Sequence, residues 1–142
     1  MPARLNPYLT FPGNAREAME YYHDVLGGNL VLTTFAEGGM GDNAADADKV
    51  MHGQLETDNG FTLMGSDARS DAPAEPMAGV QISLSGDTAA DAELSGYYDR
   101  LAQKGTVVEP LEQAPWGDKF GMVTDPYGVL WMVNIQGPQP AG

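Results

Sequence analysis

The chain of 142 residues carries 20 acidic against 7 basic side chains, for a formal net charge of −13, and it contains no cysteine. Its length suits one domain, and its 42% apolar residues suffice for an ordinary core. The seven cations lie scattered, which argues against duplex DNA and anionic lipid as partners, while the lack of Cys excludes thiolate zinc sites, thiol nucleophiles and disulfides.

In chain order, alternating residues predict a first strand over 6–11. A helix follows over Ala15–Leu26, with Asn14 as its N-cap, Glu17 three residues on as in a capping box, and Gly27-Gly28 as its stop. Ala18, Met19, Tyr22, Val25 and Leu26 form its apolar stripe. Strands are predicted over 29–36, 50–57 and 61–66, the last two joined by Asp58-Asn59-Gly60, a hairpin signature. The loops 37–48 and 67–78, rich in Gly, Ala, Pro and acid, read as solvated connections. The Gly-rich stretch at 38–41 precedes no helix and is a poor phosphate cradle.

The second half repeats the order. A strand over 80–85 leads to a helix over 89–104, capped by Thr88 and closed by Gly105, with Leu94, Tyr97, Tyr98 and Leu101 as its buried stripe. Strands over 107–111, 120–124 and 129–135 follow, and Asp125-Pro126-Tyr127-Gly128 forms a turn between the last two. The order is therefore β-α-β-β-β, twice. Tyr21-Tyr22 echoes Tyr97-Tyr98, and Gly60-Phe61-Thr62-Leu63-Met64 echoes Gly128-Val129-Leu130-Trp131-Met132. The expected organisation is a single domain (1–142) of two modules, 5–66 and 79–136, with a linker at 67–78 and a tail at 137–142. No apolar run approaches the ~20 residues of a membrane span, and the start lacks the apolar stretch of a signal peptide. A soluble, cytoplasmic protein is expected.

Strand side chains alternate between two faces. One face is apolar and should meet the helices, including Leu9, Phe11, Met51, Leu55, Phe61, Val80 and Trp131. The other carries Asn6, Tyr8, His52, Gln54, Glu56, Met64, Gln81, Phe120, Met122 and Met132. That mixture of amides, methionines and aromatics suits a ligand cleft or a subunit interface; a secondary core with a few satisfied polar groups is the plainer alternative.

Pro7-Tyr8-Leu9-Thr10-Phe11, Tyr21-Tyr22 with Leu26-Gly27-Gly28, the run Trp116-Gly117-Asp118-Lys119-Phe120-Gly121, and Asp125-Pro126-Tyr127-Gly128 with Trp131-Met132 resemble the PhnB-like family. That family belongs to the vicinal-oxygen-chelate superfamily, which includes glyoxalase I, bleomycin-resistance proteins and extradiol dioxygenases. The resemblance covers about 5–136. It implies an α+β fold of two βαβββ modules forming an incomplete curved β-barrel, commonly completed in a homodimer.

Metal-using members hold one divalent ion with His, Gln and Glu from the first and last strands of each module. The corresponding positions here read as Asn6, Met64, Gln81 and Met132. Two thioethers cannot replace two carboxylates on a hard or borderline cation, so neither a metal nor another cofactor is expected. His52 is the candidate catalytic residue, as a general base or a ligand anchor; a structural histidine is the plainer reading. Tyr8, His52, Gln54, Met64, Gln81, Trp116, Phe120, Met122 and Met132 are the candidate ligand-binding residues. Aromatic walls suit a cation, methionines an adaptable lining. The expected partner is thus a small molecule, cationic or aromatic, bound without metal in a cleft between the modules. The alternative is a lyase, isomerase or dioxygenase with an ion on Gln81, His52 and Glu56. An inert dimerisation or regulatory module is a third reading.

Overall fold

The computed structural model describes residues 3, 5–39, 44–70 and 79–137. The chain divides into two units, Met1–Glu75 and Pro76–Gly142, each built around one four-stranded sheet and one long helix. In the first unit the order is β1 (Tyr8–Phe11), α1 (Ala15–Leu26), β2 (Asn29–Thr34), β3 (Val50–Glu56) and β4 (Thr62–Asp67). The sheet runs β1-β4-β3-β2, with β1 parallel to β4 and the other pairs antiparallel. The second unit repeats this with β5 (Gln81–Gly86), α2 (Asp91–Lys104), β6 (Thr106–Gln113), β7 (Lys119–Thr124) and β8 (Leu130–Ile135). Its sheet runs β5-β8-β7-β6, again with one parallel pair, β5 and β8. This is the twice-repeated βαβββ order expected from the sequence, and neither sheet closes on itself.

Each helix packs its apolar stripe on one face of its own sheet. Met19, Tyr22, Phe11 and Leu55 are fully buried in the first unit, and Leu101, Val123, Trp131 and Val133 in the second. Glycines on the sheet make room for this contact. Gly53 and Gly65 are paired neighbours on β3 and β4; a Cβ on Gly53 would press against Leu32, and one on Gly65 against Met19 and Phe11. Gly121 takes the place of Gly53 in the second unit, 68 residues on; there a Cβ would stand 2.7 Å from the Tyr98 ring.

Several boundaries and contacts differ from expectation. Asn14 makes no capping bond, and its Oδ1 is buried without a partner. The helix start is instead served by Asp67, whose Oδ1 accepts from Ala15 N–H at 2.8 Å and whose Oδ2 accepts from Val50 N–H at 2.9 Å. Asp67, expected in a solvated linker, is therefore a buried strand residue. Such a cap comes from 52 residues away, beyond the reach of a local sequence signal. Thr88 is likewise not the cap of the second helix. Asp87 caps a short 3-10 turn, Thr88–Ala90, through Ala89 N–H at 3.0 Å, and α2 starts only at Asp91.

The register of β3 also shifts. A bulge opposite Thr33 and Thr34 skips Met51, so Val50 is buried at 1% exposure while Met51 is half-buried. Val80, expected in the core, lies before β5 and is 75% exposed, and half-buried Phe61 stands just outside β4. Both hairpins expected at Asn59-Gly60 and Tyr127-Gly128 form, each closed by a bond from the glycine N–H to the carbonyl three residues earlier. Only the glycine takes a positive φ in each, 92° at Gly60 and 89° at Gly128. Both turns thus end on a left-handed glycine without the two successive positive φ values of type I′; this departs from the Asn-Gly signature at 59–60 and agrees with the type I turn expected at 125–128.

Candidate functional site

The face of each sheet turned away from its helix carries the candidate residues, and strand register sets their neighbours. In the first unit Tyr8 pairs with Met64, Met64 with Gln54, and Gln54 with Val31, one row across four strands. The next row along β2 and β3 sets Asn29 against Glu56. The polar side chains join in a line. Tyr8 Oη lies 3.3 Å from His52 Nδ1, His52 Nε2 lies 3.3 Å from Gln54 Oε1, and Gln54 Nε2 donates to Glu56 Oε1 at 2.8 Å. His52 and Glu56 are four residues apart on one strand face, too far to touch; Gln54 between them makes the link. Asn29, Val31, His52, Gln54 and Glu56 line a groove of about 260 Å³. Of the candidates in this half, Tyr8, His52, Gln54 and Met64 are thus neighbours, whereas Asn6 precedes the first residue of β1.

In the second unit three rows cross the open face. Ser83, Met132, Met122 and Glu109 form one; Ser85, Asn134, Phe120 and Glu112 form another. Gln81 belongs to a third row with Leu130, Thr124 and Thr106, so it is not in register with Met132. The β6–β7 turn displays Trp116: Gly117 N–H bonds to Ala114 O at 2.9 Å, and Gly117 adopts φ 102°. Trp116 is 66% exposed, and its ring stands 6.1 Å from that of Phe120 at 60°. Trp116, Phe120 and Met122 share a pocket of about 420 Å³ with Glu109, Glu112 and Pro110.

Glu109 and Glu112 were not expected on this face, which strict alternation leaves with Glu56 as its carboxylate. Residues three apart should point to opposite sides of a strand. Two irregularities in β6, between Val107 and Glu109 and between Glu109 and Glu112, bring both opposite Met122 and Phe120. Tyr98 of α2 anchors this distorted strand, donating its hydroxyl to Glu109 O at 2.9 Å. Burial, reinforced by the charges of Asp99, Glu109 and Glu112, holds the Tyr98 hydroxyl above its ordinary value. The sequence offered one sign of an irregular edge strand, Pro110 within an alternating run.

Asp118 and Lys119 have structural partners. Asp118 accepts from Gly137 N–H at 2.8 Å and from Asn134 Nδ2 at 3.3 Å. Lys119 Nζ reaches Asp91 Oδ2 at 2.8 Å, tying β7 to α2. Trp131 is core, as expected, and its Nε1–H donates to buried Asp125 at 2.9 Å.

Asn6, Met64, Gln81 and Met132, the positions that the sequence resemblance sets against metal ligands, offer amides and thioethers, a donor set that does not fit a hard or borderline divalent ion. Among the described residues, no three His, Cys, Asp or Glu side chains gather closely enough to hold one. No helix among them is long and apolar enough to cross a membrane.

Residues 4–133 match the family model of the Glyoxalase/Bleomycin resistance protein/Dioxygenase superfamily. The chain belongs to that superfamily, and within it to the PhnB-like branch. It is 33% identical to protein YjdN of Escherichia coli over 147 aligned residues, covering 96% of this chain and 97% of that one. The crystal structure of protein PA1353 from Pseudomonas aeruginosa superposes with a TM-score of 0.80 at 40% identity, covering 95% and 98% of the two chains. A PhnB protein from Bacillus cereus superposes with a TM-score of 0.70 at 25% identity, covering 94% and 100%.

Proposed function

We propose that this protein binds a small organic cation of aromatic character, without a metal ion, at the Trp116 pocket of the second unit. The observation that carries the reading is the convergence there of exposed Trp116 and half-buried Phe120 with two carboxylates. Trp116 and Phe120 present π-faces and edges, and Glu109 and Glu112 supply negative charge beside them. A cation over an aromatic face gains ~0.5–1 kcal/mol at an exposed site and ~2 when desolvated. Met122 adds a polarisable wall that accommodates different shapes, and at −13 the molecule as a whole attracts cations. The methionines at positions 64 and 132 favour this over metal-dependent chemistry, because neither thioether brings the charge or oxygen that a divalent centre requires.

Calorimetric titration with benzyltrimethylammonium, benzyl alcohol and benzoate tests the reading. The cation should bind tightest, the alcohol weakly and the anion not at all. Trp116→Ala should weaken the cation at least tenfold with the fold intact. Equal binding of all three probes, or stoichiometric binding of a divalent metal without binding of the cation, would contradict it.

A further inference from the structure

The polar line on the first unit has a direction that its hydrogen bonds settle. Glu56 is a carboxylate and accepts only, so the Gln54 group 2.8 Å from it is the NH₂. Gln54 Oε1 then faces His52, and the His52 nitrogen beside it, Nε2, must carry the proton. In the neutral imidazole Nδ1 is then the acceptor, and the Tyr8 hydroxyl donates to it. In each of the three bonds the proton points toward Glu56. Both ends consequently offer acceptors to the outside: the Tyr8 oxygen at one, the ionised Glu56 at the other. Asn29, paired with Glu56 across β2 and β3, adds an amide there, and Val31 supplies the apolar stretch between.

From this polarity we propose that the 260 Å³ groove of the first unit binds a small primary alkylammonium. Its N–H groups satisfy Glu56 and the Asn29 carbonyl, and its alkyl chain lies along Val31. The site differs from the Trp116 pocket in what it demands. An aromatic pair attracts a cation that has no N–H at all, whereas this groove rewards a donor. An anion meets the Glu56 charge with only the neutral amides of Asn29 and Gln54 as compensation among the lining groups. The relay has a positioning role, since Gln54 holds the Glu56 carboxylate while itself locked by His52.

Side-chain amide resonances of uniformly ¹⁵N-labelled protein, titrated with n-butylammonium, tetramethylammonium and butyrate, test the proposal. Butylammonium should shift the Asn29 and Gln54 NH₂ signals saturably, and the other two should leave them in place. Glu56→Gln should weaken butylammonium at least tenfold, and Trp116→Ala should leave it unchanged. Gln54→Leu should weaken it severalfold and release His52, in long-range ¹H–¹⁵N spectra, from the Nε2–H tautomer into a mixture. Gln54 and Glu56 point away from the helix-packed core and Trp116 lies in an exposed turn, so all three variants should fold. No response to butylammonium, an equal response to tetramethylammonium, or unchanged affinity in Glu56→Gln would overturn the proposal. Because the Trp116 variant is read separately, failure here leaves the second-unit pocket untouched.

Discussion

At the scale of single residues, the buried aspartates Asp46, Asp67 and Asp125 organise the loops and strand ends. Asp125 accepts from Tyr127 N–H, Val129 N–H and Trp131 Nε1–H, which joins the last hairpin turn to the core. Asp67 accepts from Ala15 and Val50 N–H groups. Removing either carboxylate strands buried donors, and a hydrogen bond to a charged group is worth ~1.5–3 kcal/mol. Asp125→Ala and Asp67→Ala should each lower unfolding free energy by ~3 kcal/mol in urea denaturation. Asn14→Ala, at the position where sequence alone places the cap, should not lower it, because the side chain makes no capping bond and its buried Oδ1 has no partner to lose. A loss of ~1 kcal/mol or more at Asn14 would restore the local cap.

At the scale of elements, what was legible in the sequence is what obeys a period. Both helices, the two-module order and the β3–β4 and β7–β8 hairpins follow from apolar spacing and from glycines at turns. The departures occur where a strand breaks its period: the bulge that buries Val50 in place of Met51, and the two in β6 that gather Glu109 and Glu112. Alternation predicts a face but cannot announce the residue at which it slips. In the first unit the His52–Gln54–Glu56 line lay open to reading, since those residues alternate regularly; its link to Tyr8 depends on sheet pairing. Tyr98 holds the β6 distortion in place, so Tyr98→Phe should cost ~1 kcal/mol of stability and weaken cation binding at the Trp116 pocket. A variant with full affinity would show that the bulge is set by β6 alone. Gly121→Ala forces a Cβ against the Tyr98 ring and the Leu111 backbone, and overpacking of this kind should cost ~1–3 kcal/mol in thermal or urea unfolding.

At the scale of the molecule, acidity acts on stability in two opposed ways. Self-repulsion at −13 opposes compactness, so added salt should raise the unfolding temperature at pH 7 through screening. Individual carboxylates nevertheless favour the folded state. Hydrogen bonds from Thr34 hold Glu37 below its ordinary value, and those from Lys119 and Ser95 do the same for Asp91. Desolvation works against ionisation of Asp46, but the Lys49 ammonium and the Ser70 donors outweigh it and hold that carboxyl low as well. Groups depressed on folding stabilise fully above their unfolded values, 3.8 for aspartate and 4.5 for glutamate, and lose that contribution as pH falls through the lower folded values. Stability should stay level from pH ~7 to ~5 and decline below ~4. A decline already complete at pH ~5 would assign it to other groups.

The same acidity directs the binding account, because it places two carboxylates beside an exposed indole. The chain has two tryptophans, one displayed at the pocket and one buried with its Nε1–H bonded to Asp125. The indole region of a ¹H–¹⁵N spectrum, recorded as benzyltrimethylammonium is added, therefore tests the central claim most directly. The Trp116 signal should move saturably while the Trp131 signal stays fixed. A stationary Trp116 signal at saturating cation, or equal movement of both, would contradict it.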